Sequence, residues 1–453
     1  MPQRLKNSDI NLFCIGEMGF IIMMLLAVNY YAYFLTDVAL IGAATVGTIL
    51  LIARIADAVS VPITGCIIEK IDLKWGRYRS WILAAPPFIA VFFILMFTNP
   101  DVNVVTKAVL LGTFYVLGHV SVNLAGSAYV ALIPVLATDQ TDRVKLSSRR
   151  AQANAGAQII FGLIAMPLIL ALGAGNEGRG FFLTIIIFAT LQLLGYLLVA
   201  RITKPFVAGR QTEGKKDAIT VKDMFAQIFS NSPLLVLLLA EMFRMTTMFV
   251  LMGFGVYYFK YVAHNMLMVT AFFTSLSAAA LVGAVTGQFI ANKFTKKKTY
   301  ILGMVVAVLS LSAAWLVAKE TLVFIIFCSL AMLGINIVQA MQAAMYADTA
   351  EYSEWKTGKN VGGLIMALSA LPIKIGVAVS GAVTGFGLAA AGYVANAKPT
   401  AELASAISTL ATLVPALFAV LAIVGILFYS LSEEKVNQMR LEIQTRNGEF
   451  PLT

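Results

Sequence analysis

Twelve apolar stretches, each long enough to cross a bilayer, recur along this chain at about 11–35, 42–68, 81–98, 104–137, 149–173, 181–201, 233–259, 266–292, 300–317, 322–348, 361–392 and 404–430. Spanning about 30 Å of hydrocarbon takes about 20 helical residues. Lipid offers no hydrogen bonds, so a spanning backbone must satisfy its own polar groups as a helix or a closed barrel. Barrel strands alternate in polarity, and these runs do not. An all-α membrane protein is therefore expected. Charged residues make up 12% of the chain, against about 25% in soluble domains, and the mean hydropathy is +0.85. The depletion runs from end to end, which one large soluble core does not explain.

The net charge of +10 follows topology. Of the 33 lysines and arginines, 25 fall in the termini and the even-to-odd turns, five in the opposite turns, and three (Arg54, Arg244 and Lys374) inside spans. The positive-inside rule then puts both termini in the cytoplasm, as expected of a multi-pass protein of a bacterial cytoplasmic membrane. The basic excess is no nucleic-acid footprint. The first apolar run is too long for a cleavable leader and follows a polar start, Met1 to Asp9. Cys14, Cys66 and Cys328 lie in three separate apolar runs, which suggests neither a disulfide frame nor a metal site. The sequence holds no zinc-protease motif, phosphate-cradling loop or nucleophile elbow, so no enzyme is expected and no cofactor beyond a coupling ion, H+ or Na+.

A polar stretch from Thr203 to Pro233 divides the spans into sixes. The expected organisation is an N-terminal six-helix bundle (1–202), a cytoplasmic central loop (203–232) with an amphipathic piece around 221–229, a C-terminal six-helix bundle (233–430) and a cytoplasmic tail (431–453). Each half has a short basic turn after its second span, around Gly76-Arg77-Tyr78-Arg79 and Lys296-Lys297-Lys298. Paired six-span repeats with such turns point to the major facilitator fold.

Ionisable residues at bilayer depth are the candidates for function, because each costs about 2.5–3.5 kcal/mol even on lenient insertion scales. Asp57 in the second span can hold a cation or a proton, or form a structural pair with Arg54, one turn earlier, or with Lys374. Lys374, in span eleven after Pro372, wants a carboxylate partner or a substrate oxygen. Glu17 in span one either faces a cavity or is solvated at the cytoplasmic end. Glu241 and Arg244 are three apart and suit a structural ion pair. Asn29, Asn123, Asn336, Gln339 and Gln342 offer neutral ligands or join helices. Tyr30, with Tyr31 and Tyr33, can stack on a sugar ring or form an interfacial belt. Of Arg149 and Arg150, one can turn inward, and His119 suits packing better than chemistry.

Two long motifs then carry a resemblance. Arg54-Ile-Ala-Asp57, Pro62-Ile-Thr-Gly65 and Trp75-Gly76-Arg77-Tyr78-Arg79 form the first; Asp348-Thr-Ala-Glu351-Tyr352-Ser-Glu354-Trp355 forms the second. With Lys374-Ile-Gly376, Gly392-Tyr393, Phe34-Leu-Thr36-Asp37 and Gly16-Glu17, the chain resembles, over nearly its whole length, the glycoside–pentoside–hexuronide:cation symporters, major facilitator relatives that include the melibiose and glucuronide permeases. The resemblance implies a twelve-span carrier in which Asp57 is the principal cation carboxylate, with Ser60 and Asn123 as neutral ligands. It puts Lys374 between the cation and sugar sites and Arg150 on the sugar side. Arg77, Arg143, Asp348 and Glu351 would form cytoplasmic charge networks. The chain departs from the melibiose permease pattern at Val61, Ile21 and Gly126, where carboxylates are expected, and at Asn360, where arginine is usual.

The expected function is secondary active symport of a glycoside, pentoside or hexuronide with a cation, a proton rather than sodium because a single carboxylate is a poor hard-ion cage. The expected substrate contacts are Glu17, Tyr30, Arg150, Gln342 and Lys374, and the expected cation contacts Asp57, Ser60, Asn123 and Lys374. With sugar carboxylates missing, Arg150, Lys374 and Arg244 leave the expected cavity cationic, which suits a uronic acid. A monomer in contact with lipid, its small-molecule sugar and its coupling cation is expected. The rivals are a uniporter or amphiphile carrier of the same fold and a receptor that binds without transport.

Overall fold

The structure, a computed structural model, describes residues 6–71, 75–137, 140–207, 229–358 and 361–446. Residues 221–228 of the amphipathic piece, and Asn360, lie outside these. The described residues are helical almost throughout: α1 (Asn7–Tyr33), α2 (Ala43–Lys70), α3 (Arg77–Met96), α4 (Val104–Leu136), α5 (Gln140–Gly173), α6 (Glu177–Val207), α7 (Ser232–Tyr261), α8 (Met268–Ala291), α9 (Lys296–Leu316), α10 (Thr321–Thr357), α11 (Gly362–Leu368), α12 (Leu371–Ala390), α13 (Ala401–Leu427) and α14 (Glu433–Arg446). Among the described residues twelve spans are long and apolar enough to cross a membrane, with α11 and α12 together making one of them.

Three local features were not expected from the sequence. The first span ends in a five-residue π-helix, Phe34–Val38, which adds a residue to the turn and re-aims Asp37. Span eleven is interrupted at Ser369 and Ala370. Pro372, at the second position of α12, cannot donate the backbone hydrogen bond that would carry the helix across the break. The tail forms helix α14. Gly358, at φ 75°, ends α10 in the left-handed conformation that glycine adopts at least cost.

The chain forms two compact units: Met1–Gly214 with Gly255–Ser277 and Gly381–Ile407, and Lys215–Phe254 with Ala278–Ser380 and Ser408–Thr453. In the first, α1 lies against α6 with backbones almost touching. A Cβ on Gly16 would stand 2.7 Å from the Gly195 carbonyl oxygen, and one on Gly195 only 2.1 Å from that of Gly16. Such small-residue seams replace the hydrophobic drive that lipid cannot supply between helices. In the second unit α9 and α10 meet the same way at Gly303 and Gly334, with Cβ positions 2.6 and 2.4 Å from the facing carbonyl oxygens. The core of this unit includes Leu237, Met304, Val338, Met345, Tyr429 and Met439.

These seams have a measurable cost when filled. Gly195→Ala must push α1 and α6 apart, an overpacking strain of about 1–3 kcal/mol, and is expected to lower the thermal midpoint in detergent. Gly65→Ala, with nothing within 4 Å of the added Cβ, is expected to leave it unchanged. Equal midpoints for the two variants would contradict the reading.

Candidate cation and sugar sites

On α2, residues 54, 57 and 60 succeed one another at three-residue spacing, so one face carries Arg54, Asp57 and Ser60. That face meets α4. The Asn123 amide nitrogen donates to Asp57 Oδ1 at 2.7 Å and lies 2.7 Å from Ser60 Oγ. Ser60 Oγ donates to the Asp57 carbonyl at 2.8 Å. The other carboxylate oxygen, Oδ2, faces Arg54 Nη1 at 3.9 Å. Arg54 is held from its far side: Nη2 donates to the Tyr115 hydroxyl, and the guanidinium lies 5.2 Å from that ring's centroid. Tyr115 is fixed in turn by a parallel stack on Tyr31 at 4.8 Å. His119 packs against Tyr115 and Phe93 and lies 2.9 Å from the Tyr115 carbonyl, the packing role its position suggested. Asp57 and Arg54 are only 5% and 8% exposed, so their separation in sequence becomes a desolvated, oriented pair.

A second pair joins α1 to α5. Arg150 Nε and Nη2 donate to Glu17 Oε2 and Oε1 at 2.7 and 2.6 Å, a bidentate fork. Glu17 is therefore buried and paired. Arg150, not the exposed Arg149, is the inward member of its dipeptide. Its guanidinium lies 5.1 Å from the Tyr129 centroid. Tyr129 stacks on Phe13 at 4.5 Å. Tyr30 is 1% exposed and enclosed by Phe161, Phe181 and Phe273.

In the second unit Glu241 and Arg244 form the structural pair their spacing suggested, both fully buried. Arg244 Nη2 donates to Glu241 Oε2 at 2.6 Å and to Gln339 Oε1 at 3.1 Å, and Nη1 donates to the Ile335 carbonyl at 3.1 Å. Gln339 Nε2 donates onward to Gln342 Oε1 at 2.8 Å. Lys374 is half-buried on α12, one turn after the break. The expectation of free positive charge on Arg150 and Arg244 is thereby corrected. Arg150 and Arg244 each carry a carboxylate partner, so neither contributes free positive charge.

At the C-terminal end of α10, Asp348 pairs with Lys296 at 2.7 Å and Glu351 with Arg440 at 2.7 Å. These are basic partners that the sequence reading did not assign. Arg77 opens α3, half-buried; the side chain of Arg143 lies outside those described. Helix α14 docks on this end. Trp355 Nε1 donates to Glu442 at 2.6 Å, and Arg446 donates to the carbonyls of Glu354 and Trp355 in the last turn of α10. The indole and the Gln438 amide hold the Glu442 carboxyl below the usual carboxylate range.

One cluster carried no role in the sequence reading. Asp37, at the end of the first span, accepts from Tyr261, Tyr393 and Lys260. Each partner lies more than 200 residues away; Asp37 and Tyr393 stand in motifs of the family resemblance, but no role is attached to them.

The model for the family described as MFS/sugar transport protein matches residues 12–433. The chain belongs to that family. It is 31% identical to the isoprimeverose transporter of Lactiplantibacillus pentosus, over 89% of this chain and 85% of that one. It is 26% identical to the glucuronide carrier protein homolog of Escherichia coli, over 98% and 97%. Among solved structures, a D-xylose–proton symporter superposes with a TM-score of 0.66 at 14% identity, covering 95% of this chain and 99% of that one. The protein is thus a major facilitator transporter among the glycoside–pentoside–hexuronide:cation symporters, a secondary active sugar symporter and not an enzyme.

The Glu241–Arg244 pair sets a prediction. Glu241→Gln strands a fully buried guanidinium and is expected to cost about 3–5 kcal/mol, with a lowered thermal midpoint. Adding Arg244→Met should restore much of the loss. A single variant as stable as the parent would refute the structural assignment.

Proposed function

We propose that the protein couples the inward movement of a neutral glycoside or pentoside to that of a proton, with both termini in the cytoplasm of the bacterial cell and one chain as the working unit. The observation that carries the substrate class is the bidentate Glu17–Arg150 pair. A guanidinium and a carboxylate locked together present donors and acceptors side by side, which suits vicinal sugar hydroxyls. Their charges cancel, so an anionic sugar gains little from them. The similarity to the isoprimeverose transporter supports the same class.

Asp57 is the coupling group. One of its oxygens is held by an amide N–H and the other faces a guanidinium at 3.9 Å. A single carboxylate among hydrogen-bond donors suits a proton better than sodium, which demands several oxygen ligands. Ser60 and Asn123 orient it. Tyr30 backs the sugar-binding helix from its aromatic enclosure. Arg77, Arg143, Asp348 and Glu351 serve the cytoplasmic gate. Proton and sugar each favour the same closed state, so each raises the affinity for the other by the same factor.

The test is uptake into proteoliposomes of isoprimeverose and of phenyl glucuronide, under an imposed proton or sodium gradient. Accumulation of the neutral sugar driven by protons, with sodium giving only the background, is expected. Asp57→Asn should lose accumulation but keep sugar exchange at zero gradient. Preference for the glucuronide, or accumulation driven by sodium alone, would refute the proposal.

A further inference from the structure

The Asp37 cluster touches neither candidate site, yet it is among the most heavily bonded polar groups among the described residues. The Asp37 side chain is fully buried. Oδ1 accepts from the Tyr261 hydroxyl and lies 3.0 Å from Lys260 Nζ. Oδ2 accepts from the Tyr393 hydroxyl and from Thr36 Oγ1 at 2.7 Å. Lys260 Nζ is itself caged: it donates to the Tyr33 hydroxyl at 2.7 Å and to Asn396 Oδ1 at 2.9 Å, lies 3.7 Å from Glu177 Oε2, and sits over the Tyr33 ring at 4.8 Å. Asn396, at φ 57°, donates through Nδ2 to the Asp37 carbonyl at 2.9 Å and through its backbone N–H to the Tyr261 hydroxyl at 3.0 Å. Left-handed geometry is rare for a side-chain-bearing residue and tolerated best by asparagine and aspartate. Here the two hydrogen bonds hold it.

Three stretches of chain converge on this carboxylate: the π-helix that ends the first span, the end of α7, and the connection between α12 and α13. All belong to the first compact unit. The first stretch comes from the first half of the chain and the other two from the second. In the topology expected from the basic turns, this is the face away from the cytoplasm. A carrier that opens to that face must separate the first span from the second-half stretches, and so must break these bonds together. We propose that Asp37 and Lys260 are a gating pair: a latch, made of a buried carboxylate and a tethered cation, that holds the external face shut and whose release is a step of the transport cycle. Tyr261, Tyr393 and Asn396 are positioning residues that keep the ammonium on the carboxylate. The desolvation of both ions makes the latch all-or-none. Once Lys260 withdraws, the fully buried Asp37 loses its counter-ion, a cost that entering water offsets. The inference rests on the transport reading only in taking the chain to alternate between two states.

The experiment needs no substrate. In a background with Cys14, Cys66 and Cys328 replaced by serine, Ile41→Cys puts a small thiol at a buried position four residues from Asp37, where the parent side chain is 2% exposed. Intact cells are treated with a membrane-impermeant maleimide. The parent should label slowly. Asp37→Asn and Lys260→Gln should each raise the labelling rate at least about fivefold, as the population shifts to the externally open state. Tyr393→Phe removes one hydroxyl and keeps the ring, so it should fold if the charge variants do not, and is expected to raise labelling about twofold. Unchanged or reduced labelling in the variants that reach the membrane at parental level would overturn the latch. Because labelling is read without sugar or gradient, a failed sugar assignment leaves this result interpretable. Conversely, a chain that transports neutral sugars can still fail here.

Discussion

A charge in hydrocarbon is affordable only beside its opposite, and this constraint organises the molecule. Asp57 faces Arg54, Glu17 grips Arg150, Glu241 holds Arg244, and Asp37 is closed by Lys260. Removing one partner from such a pair is far worse than never having had either. The pairs therefore differ in function by how tightly they are tied. Glu241–Arg244 is bonded from several directions and fully buried, which makes it a scaffold. Asp57–Arg54 is the loosest at 3.9 Å, with Arg54 drawn aside by Tyr115.

The same pairing bears on what the transporter carries. A sequence with several basic residues in its spans invites an anionic substrate, as long as each charge is counted alone. Once Arg150 and Arg244 are seen with their carboxylates, neither counts as free positive charge. What remains at Glu17 and Arg150 is a bidentate pair without net charge. Tertiary neighbours, rather than composition, set the chemistry of the lining.

Much of the fold was legible from the sequence because the length and apolarity of a span are local properties imposed by the bilayer. The ends were less so. Helix α10 runs on to Thr357 and α5 starts at Gln140, since their polar extensions carry no hydropathy signal. The break before Lys374 needed the backbone effect of Pro372, and the π-helix at Phe34–Val38 left no mark in the pattern. Within the site, pairs on one helix could be read directly: Arg54 with Asp57 and Glu241 with Arg244 follow from helical spacing. Asn123 beside Asp57 came from family resemblance. Glu17 with Arg150, Lys296 with Asp348, and Asp37 with Lys260 bring distant segments together. They depend on how far one helix slides along another, a quantity fixed by seams such as Gly16 against Gly195 and invisible in either segment alone.

The central proposal is that Asp57 trades one positive charge for the passage of an uncharged sugar. The most direct measurement is the charge displaced when a neutral pentoside is added to transporter-bearing membranes adsorbed on a capacitive electrode, with no gradient imposed. Inward positive charge movement in the parent protein, abolished by Asp57→Asn with sugar binding retained, is the predicted result. Sugar addition that moves no charge in the parent, or the same charge in the variant, would contradict the account.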